Sequence, residues 1–322
     1  MFKSALSLSF ASAIIAMTVS GAALAGKTVL DLTHPIPTFK ASQDDSTKAD
    51  LSQPWLDSQP IPSFGAQTVL TLSKFPTNQG YFDLGVVMLA EHHGTHLDAS
   101  THYVNNDATL IPGNPPADKR KYLNMLDGKD LTGSIILIDI SARVQAELDK
   151  NGGKPSPDTG ITDFSNASGN GVTADDIEAV RDKIVDGAWI VVNNGWSRFY
   201  FQGTDFAKGP YVNGWNFPGF SPAAVDKIFE IEDAKGVRIN GLVADAIGVE
   251  GGQSSRGEDD AWTNSWYAHV LGFQRGWKIV ENAADLGQLA EVDADDCTLV
   301  VGAPKWVRGT GGPARVLALC EE

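Results

Sequence analysis

Basic residues, cysteine and histidine are all scarce in this chain, and each shortage narrows what it can do. Lysine and arginine together number 25 against 40 aspartates and glutamates, for a formal charge of −15. That balance argues against nucleic acid or an anionic membrane surface as partner; solubility accounts for the acidity without invoking a cationic substrate. There is no apolar run of the roughly 20 residues that a membrane-spanning helix requires. No G-x-S-x-G elbow occurs anywhere, which disfavours serine-hydrolase chemistry. Internal repeats and low-complexity tracts are absent as well. Cysteine is limited to Cys297 and Cys320. Each borders an apolar run, and if Cys297–Val301 and Arg315–Cys320 pair as a hairpin, the two thiols fall nearly opposite one another. A disulfide is then expected in an oxidising compartment, and a catalytic thiol is not.

The longest apolar run is N-terminal. Lys3 precedes an apolar stretch from Ala5 to Val19, and Ala23-Leu24-Ala25 has the form of an A-x-A cleavage site. Residues 1–25 therefore read as a cleavable signal peptide and residues 26–322 as one mature domain. No cysteine follows the cleavage site and no twin arginine precedes the run, so the expected destination is the periplasm or medium by the general export route.

Histidine is the informative shortage. The chain has six, and four of them, His92, His93, His96 and His102, fall within the eleven residues His92–His102, together with Asp98. His92, His96 and Asp98 share parity, so a locally extended chain points them to one face. A straight strand would hold His92 and His96 too far apart for one ion, since it rises about 3.3 Å per residue. The segment must curl, and Gly94 permits that. Imidazole nitrogen with carboxylate oxygen is a ligand set for zinc, manganese or iron. A polar loop of mutually hydrogen-bonded histidines is the alternative.

Around this centre the chain alternates short elements. Strands are expected at 28–32, 67–72, 82–89, 135–140, 188–192, 241–245 and 277–280. A helix begins at the capping-box-like Thr173-Ala174-Asp175-Asp176 and runs to Gly187. A second begins at Ser221-Pro222 and runs through Phe229, and a third spans about Trp262 to Gln274. Residues 40–62, 105–119 and 152–170 read as loops, the first as a flap over the site or a neighbouring subunit. Strands separated by helices in the second half suggest β-α-β units, while the first third is mostly β. Phe39, Trp55, Phe64 and Trp196 lie near loops that could wall the ion.

The eleven residues also read as a motif. HHGTHLDASTH resembles the HxGTHxDxPxH signature of the cyclase family of metal-dependent hydrolases, which includes bacterial kynurenine formamidase and isatin hydrolase. It departs at Ser100, which replaces the proline and loses a φ restraint but no ligand. Asp31-Leu32-Thr33-His34, Asn194-Gly195-Trp196, Ala303-Pro304-Lys305 and Gly312-Pro313-Ala314-Arg315 resemble further family segments, so the likeness runs along nearly all of residues 26–322. The resemblance implies an α/β fold of the three-layer β/β/α swivelling type with a mixed sheet. On their own residues, His269 reads as a surface or packed histidine and Glu281 as a solvated strand end. The resemblance makes both of them metal ligands alongside His92, His96 and Asp98, and makes His102 the general acid/base. His34 is expected to be a satisfied loop histidine rather than a ligand. Five ligands exceed what one catalytic zinc takes. Either two ions bridged by Asp98 and Glu281, or a single manganese with fewer direct ligands, fits the count. The expected substrate is a small aromatic or cyclic amide, hydrolysed at a C–N bond by a homodimeric enzyme. A lactone hydrolase on the same ion, or an exported metal-binding protein without catalysis, is the alternative.

Overall fold

The structure, a computed structural model, describes residues 27–36, 68–73, 84–103, 119–202, 209–254 and 266–321. Residues 1–25, read as a signal peptide, residues 40–62, read as a flap, most of 105–119, and Phe39, Trp55 and Phe64 lie outside the described residues.

The strands are β1 (Lys27–Asp31), β2 (Thr68–Ser73), β3 (Leu84–Met88), β4 (His96–Asp98), β5 (Thr132–Asp139), β6 (Trp189–Asn193), β7 (Gly241–Ala244), β8 (Lys278–Glu281), β9 (Cys297–Gly302), β10 (Gly311–Pro313) and β11 (Arg315–Glu321). Four helices matter for the site and its support: α1 (Ser141–Asp149), α2 (Ala174–Ala179), α3 (Pro222–Lys235) and α4 (Tyr267–Arg275). β2 and β3 pair with each other as a separate antiparallel ribbon. The rest form one sheet in the order β1-β11-β9-β5-β6-β7-β8-β4-β10. β5 through β8 run parallel, and every other pairing in the sheet is antiparallel. The sheet is thus mixed, as expected.

Its two ends are joined by one stretch of chain. β10 is the last strand at one end and β11 is next to last at the other, yet only Ala314 separates them. The sheet must therefore curl. Alternation along the parallel strands then creates two cores. Ile135, Trp189, Val191, Val243, Val280 and Leu97 face inward onto Leu299, Val301, Val316 and Ala318 of the opposite sheet wall. Ile136, Ile138, Ile190, Val192, Leu242 and Ile279 face outward onto Val144 and Leu148 of α1, Ile228 and Ile231 of α3, and Phe273 of α4. That is a β/β/α arrangement, with strands buried on both faces reading as continuous apolar runs.

Local chemistry sets the helix ends. Thr173 and Asp176 form a full capping box at α2. That helix stops at Val180, however, and continues only as a 3₁₀ turn over Arg181–Lys183, not as one helix to Gly187. Ser221 caps α3 with Pro222 in its first turn, and α3 continues past Phe229 to Lys235, where Gly236 closes it in the left-handed conformation. α1 has little signal in the sequence. Val144 and Leu148 are its only buried apolar side chains, and its N-cap Ile140 makes no side-chain bond. Among the described residues no helix is long and apolar enough to cross a membrane.

The expected hairpin is present. β9 and β11 pair antiparallel with Cys297 opposite Cys320, and the two are joined as a disulfide with their Cα atoms 4.0 Å apart.

Candidate metal centre

β4 holds the motif at the heart of the sheet edge. The turn before it is made by Gly94 at φ +67°, and the strand proper is only His96–Asp98. The segment is therefore a turn followed by a short strand, rather than a bent loop throughout. Alternation puts His96 and Asp98 on the helix side and Leu97 in the inner core. β8 delivers Glu281 directly opposite His96 in register, and the start of α4 delivers His269. His92 folds back from the turn. The structure thus brings together all five residues singled out as ligands. His92, His96 and Asp98 offer three ligand atoms within 4.8 Å of one another, as do Asp98, His269 and Glu281, so Asp98 belongs to both groups.

The hydrogen bonds around the imidazoles decide what the cluster can hold. His96 Nδ1 donates to the Gly94 carbonyl at 2.9 Å, which turns Nε2 toward Asp98 Oδ1 at 3.2 Å and Glu281 Oε2 at 3.6 Å. His269 Nδ1 faces both oxygens of Glu250, at 2.8 and 3.0 Å, which turns its Nε2 toward Glu281 Oε1 at 3.2 Å and Asp98 Oδ2 at 3.4 Å. Glu250 Oε1 also takes the His269 backbone N–H, which marks it as an acceptor, so His269 Nδ1 is the donor. His92 Nδ1 lies 2.5 Å from Asp98 Oδ1, with Nε2 turned to Thr310. Three ring nitrogens with their lone pairs and two carboxylates therefore converge on one volume, and all are acceptors unless protons fill it. Such a donor set fits a divalent cation.

Electrostatics supports that reading. His96 is fully buried, which by itself disfavours charge, but Asp98, Glu281 and the Gly94 carbonyl outweigh burial and hold its pKa up at about 9. His269 is likewise raised, by Glu250, Glu281 and Asp98 against desolvation. Burial acts to raise the Asp98 carboxyl, but the histidines around it hold it well below the usual carboxylate range. Burial pushes Glu281 up despite His269 beside it. The pocket demands positive charge.

His102 belongs to neither ligand group. Its ring stacks on His92 with centroids 3.8 Å apart, and burial drives its pKa down to about 3, with Asp98 pulling the other way and the neighbouring imidazoles adding to the fall. His34 is buried, stacked on Tyr200 at 3.9 Å, with its pKa lowered to about 4 by burial, and its amide donates to Thr95. It supports the motif turn and is not in either ligand group. Ser100, in place of the proline, donates to the Lys119 carbonyl and accepts from the Lys121 amide at 2.9 Å. The lost φ restraint is replaced by two tethers.

Trp196 does not wall the site. It is fully buried in the helix-side core, with its indole N–H on the Tyr211 carbonyl. The aromatic wall comes instead from Trp215, Phe217 and Trp266, which with Glu250, Gly251 and Gly252 line a cavity of about 220 Å³. Trp266 stands 5.5 Å from the His269 ring and Tyr103 5.0 Å from it, so cavity and cluster adjoin. Glu250, which touches both, is one of 40 acidic residues, and only the Gly251-Gly252 pair after it marks the spot in the sequence.

The chain resembles known proteins in sequence and in fold. The family model described as "Putative cyclase" matches residues 30–250. Isatin hydrolase of Roseibium aggregatum is 26% identical over 254 residues, covering 77% of this chain and 79% of that protein. An isatin hydrolase solved with the product analogue thioisatinate superposes with a TM-score of 0.62 at 21% identity, covering 92% of this chain and 94% of that one. Isatin hydrolase A from Ralstonia solanacearum gives 0.63 at 20% identity, over 98% and 100% of the two chains. At these identities the two structures speak for the fold.

Proposed function

The chain belongs to the cyclase family, and from that premise we propose that it is a metal-dependent hydrolase cleaving the C–N bond of a small aromatic or cyclic amide. The observation that carries this reading is the convergence of His92, His96, His269, Asp98 and Glu281, with the outer nitrogen of each imidazole engaged by Thr310, Gly94 or Glu250. Zinc or manganese suits that set of nitrogens and carboxylates. Asp98, shared by both groups, supports a pair of ions, with Glu281 the second bridging candidate. Such an ion, when bound, supplies Lewis acidity and an acidified water.

The chain's own residues supply the rest. His102 stacks on His92 beside the cluster, where its imidazole can carry a proton to a departing nitrogen; burial, which lowers its pKa, favours the donating half of that exchange over the accepting half. Trp215, Phe217 and Trp266 offer flat apolar faces to a one- or two-ring substrate, orient it and exclude water. The isatin hydrolase relatives favour a cyclic amide such as isatin over an aryl formamide. The Cys297–Cys320 disulfide and the apolar N-terminal segment support an exported protein. The test is turnover of isatin, aryl formamides and matched lactones by purified protein with and without chelator. Faster amide than ester hydrolysis, lost on chelation, is the expected result. Ester turnover alone, or activity indifferent to chelator, contradicts it.

A further inference from the structure

Thr310, just before β10, brings its hydroxyl to the edge of the metal cluster, and its hydrogen bonds have a fixed direction. Its hydroxyl lies 2.7 Å from Glu91 Oε2 and 3.2 Å from His92 Nε2. The Thr310 backbone N–H donates to the same Glu91 oxygen at 3.0 Å. That oxygen is therefore an acceptor, and the single hydroxyl proton of Thr310 goes to it. Toward His92 the hydroxyl has only lone pairs to offer, so His92 Nε2 must carry the proton. With Nε2 committed to Thr310, Nδ1 is the nitrogen left for a metal; in the metal-free chain it shares a proton with Asp98 Oδ1 at 2.5 Å, which a bound cation would displace. The surrounding chain is anchored to match. The Ala99 amide donates to the Thr310 carbonyl at 2.9 Å, and the Leu123 amide to the Gly309 carbonyl at 3.0 Å. Next to Thr310, Gly311 lies so near His92 that an added Cβ would stand 2.3 Å from its Cε1.

We propose that Glu91 and Thr310 form a positioning relay for His92, fixing the tautomer that turns its Nδ1 lone pair to the metal. The proposal rests on the metal reading above. Thr310, like His269 and Glu281, lies beyond residues 30–250 that match the family, and from the start of β10 it supports a ligand that belongs to the motif. Neither relay residue is in either group of candidate ligands. Their effect runs through His92.

The relay and a simple packing role predict opposite orders for two variants. Thr310→Val keeps the shape and methyl contacts but removes the hydroxyl. Thr310→Ser keeps the hydroxyl and removes the methyl. Zn²⁺ affinity of the full chain, measured by competition with a chromophoric chelator, should fall roughly 10–100-fold in Thr310→Val, the range typical of losing an outer partner of a ligating histidine. It should stay near wild type in Thr310→Ser. Glu91→Gln, whose amide oxygen can still take the Thr310 proton, should also stay near wild type. Glu91→Leu should resemble Thr310→Val, because a freed hydroxyl can donate to His92 and move the ring proton to the metal side. The visible absorption of the Co²⁺-loaded protein should change in Thr310→Val and Glu91→Leu alone, with far-ultraviolet circular dichroism of the metal-free proteins recording their fold. Equal affinity of wild type and Thr310→Val, or weakening in Thr310→Ser instead, overturns the relay. A wild-type chain that takes up neither Zn²⁺ nor Co²⁺ overturns the metal reading and the relay with it.

Discussion

His96 and Glu281 are register partners on neighbouring antiparallel strands, with His96 Nε2 3.6 Å from Glu281 Oε2. Residues 185 positions apart in sequence thereby become one half of a site, and the strand pairing fixes their spacing. Backbone geometry does here what a flexible loop could not, because both strands are fully buried and hydrogen-bonded on each side.

His96 and His102 should separate metal binding from proton transfer. His96→Ala removes a ring nitrogen that faces both carboxylates. It should weaken metal affinity by more than the roughly 10–100-fold of an outer-partner loss. His102→Ala should keep the metal and the fold, and lose about 10²–10⁴ in kcat. Metal titration and steady-state kinetics on the same preparations check both. Loss of metal in His102→Ala to the extent seen in His96→Ala would make His102 a ligand.

Glu250 holds His269 and lines the aromatic cavity, so its removal should be felt in both places. Glu250→Ala is expected to weaken metal affinity roughly 10–100-fold and to raise KM for an aryl substrate measured at saturating metal. Chelator competition and a KM determination separate the two effects. Unchanged metal affinity would remove Glu250 from the support of the site.

Much of this was legible in the chain. His92, His96 and Asp98 announce themselves because four of only six histidines crowd into eleven residues. His269 and Glu281 carry no such signal alone, and only the family resemblance picks them out, since the pairing of β4 with β8 is a tertiary fact. Glu91 and Thr310 carry no sequence signal, and Glu250 only the glycine pair that follows it. Each is a common residue type whose role depends on which hydrogen bonds it completes. Trp196 misled for a related reason: an aromatic beside a turn can face a site or the core, and its indole N–H found a partner inside. α1 hid behind an apolar stripe of two side chains, and the Val180 break came where a capping box had promised a longer helix.

Lys278 predicts a pH dependence at the far end of the same strand that carries Glu281. It is buried, 3.1 Å from Asn240 Oδ1 and 3.4 Å from Asp130 Oδ1, and burial lowers its pKa from 10.5 to about 8. Between those values the unfolded chain binds a proton that the folded chain does not. Stability from this group should therefore rise with pH from about 8 to about 10.5, by up to about 1.4 kcal/mol per unit. Below pH 8 its contribution should be flat. Subtracting denaturation curves of Lys278→Met from wild type isolates the slope, and a difference that does not change across this window contradicts the assignment.

The disulfide should be complete and stabilising. Titration of denatured, unreduced protein purified from an oxidising compartment should find no free thiol. A Cys297→Ser/Cys320→Ser double variant should lose about 3 kcal/mol, on chain-entropy grounds for a loop closed across a separation of 23 residues. Two titratable thiols, or an unchanged denaturation midpoint, would contradict this.

The most direct test of the metal-centre account couples metal uptake to proton release. In the metal-free chain the carboxylates hold the pKa of His96 up at about 9 and raise that of His269, so a cation must displace protons to bind at neutral pH. Calorimetric titration of Zn²⁺ or Mn²⁺ into chelator-stripped protein at pH 7, repeated in buffers of different ionisation enthalpy, reads the number released. The account predicts net proton release as the site fills, together with return of amide hydrolysis in the same samples. Tight uptake with no proton release, or hydrolysis undiminished in the stripped protein, would contradict it.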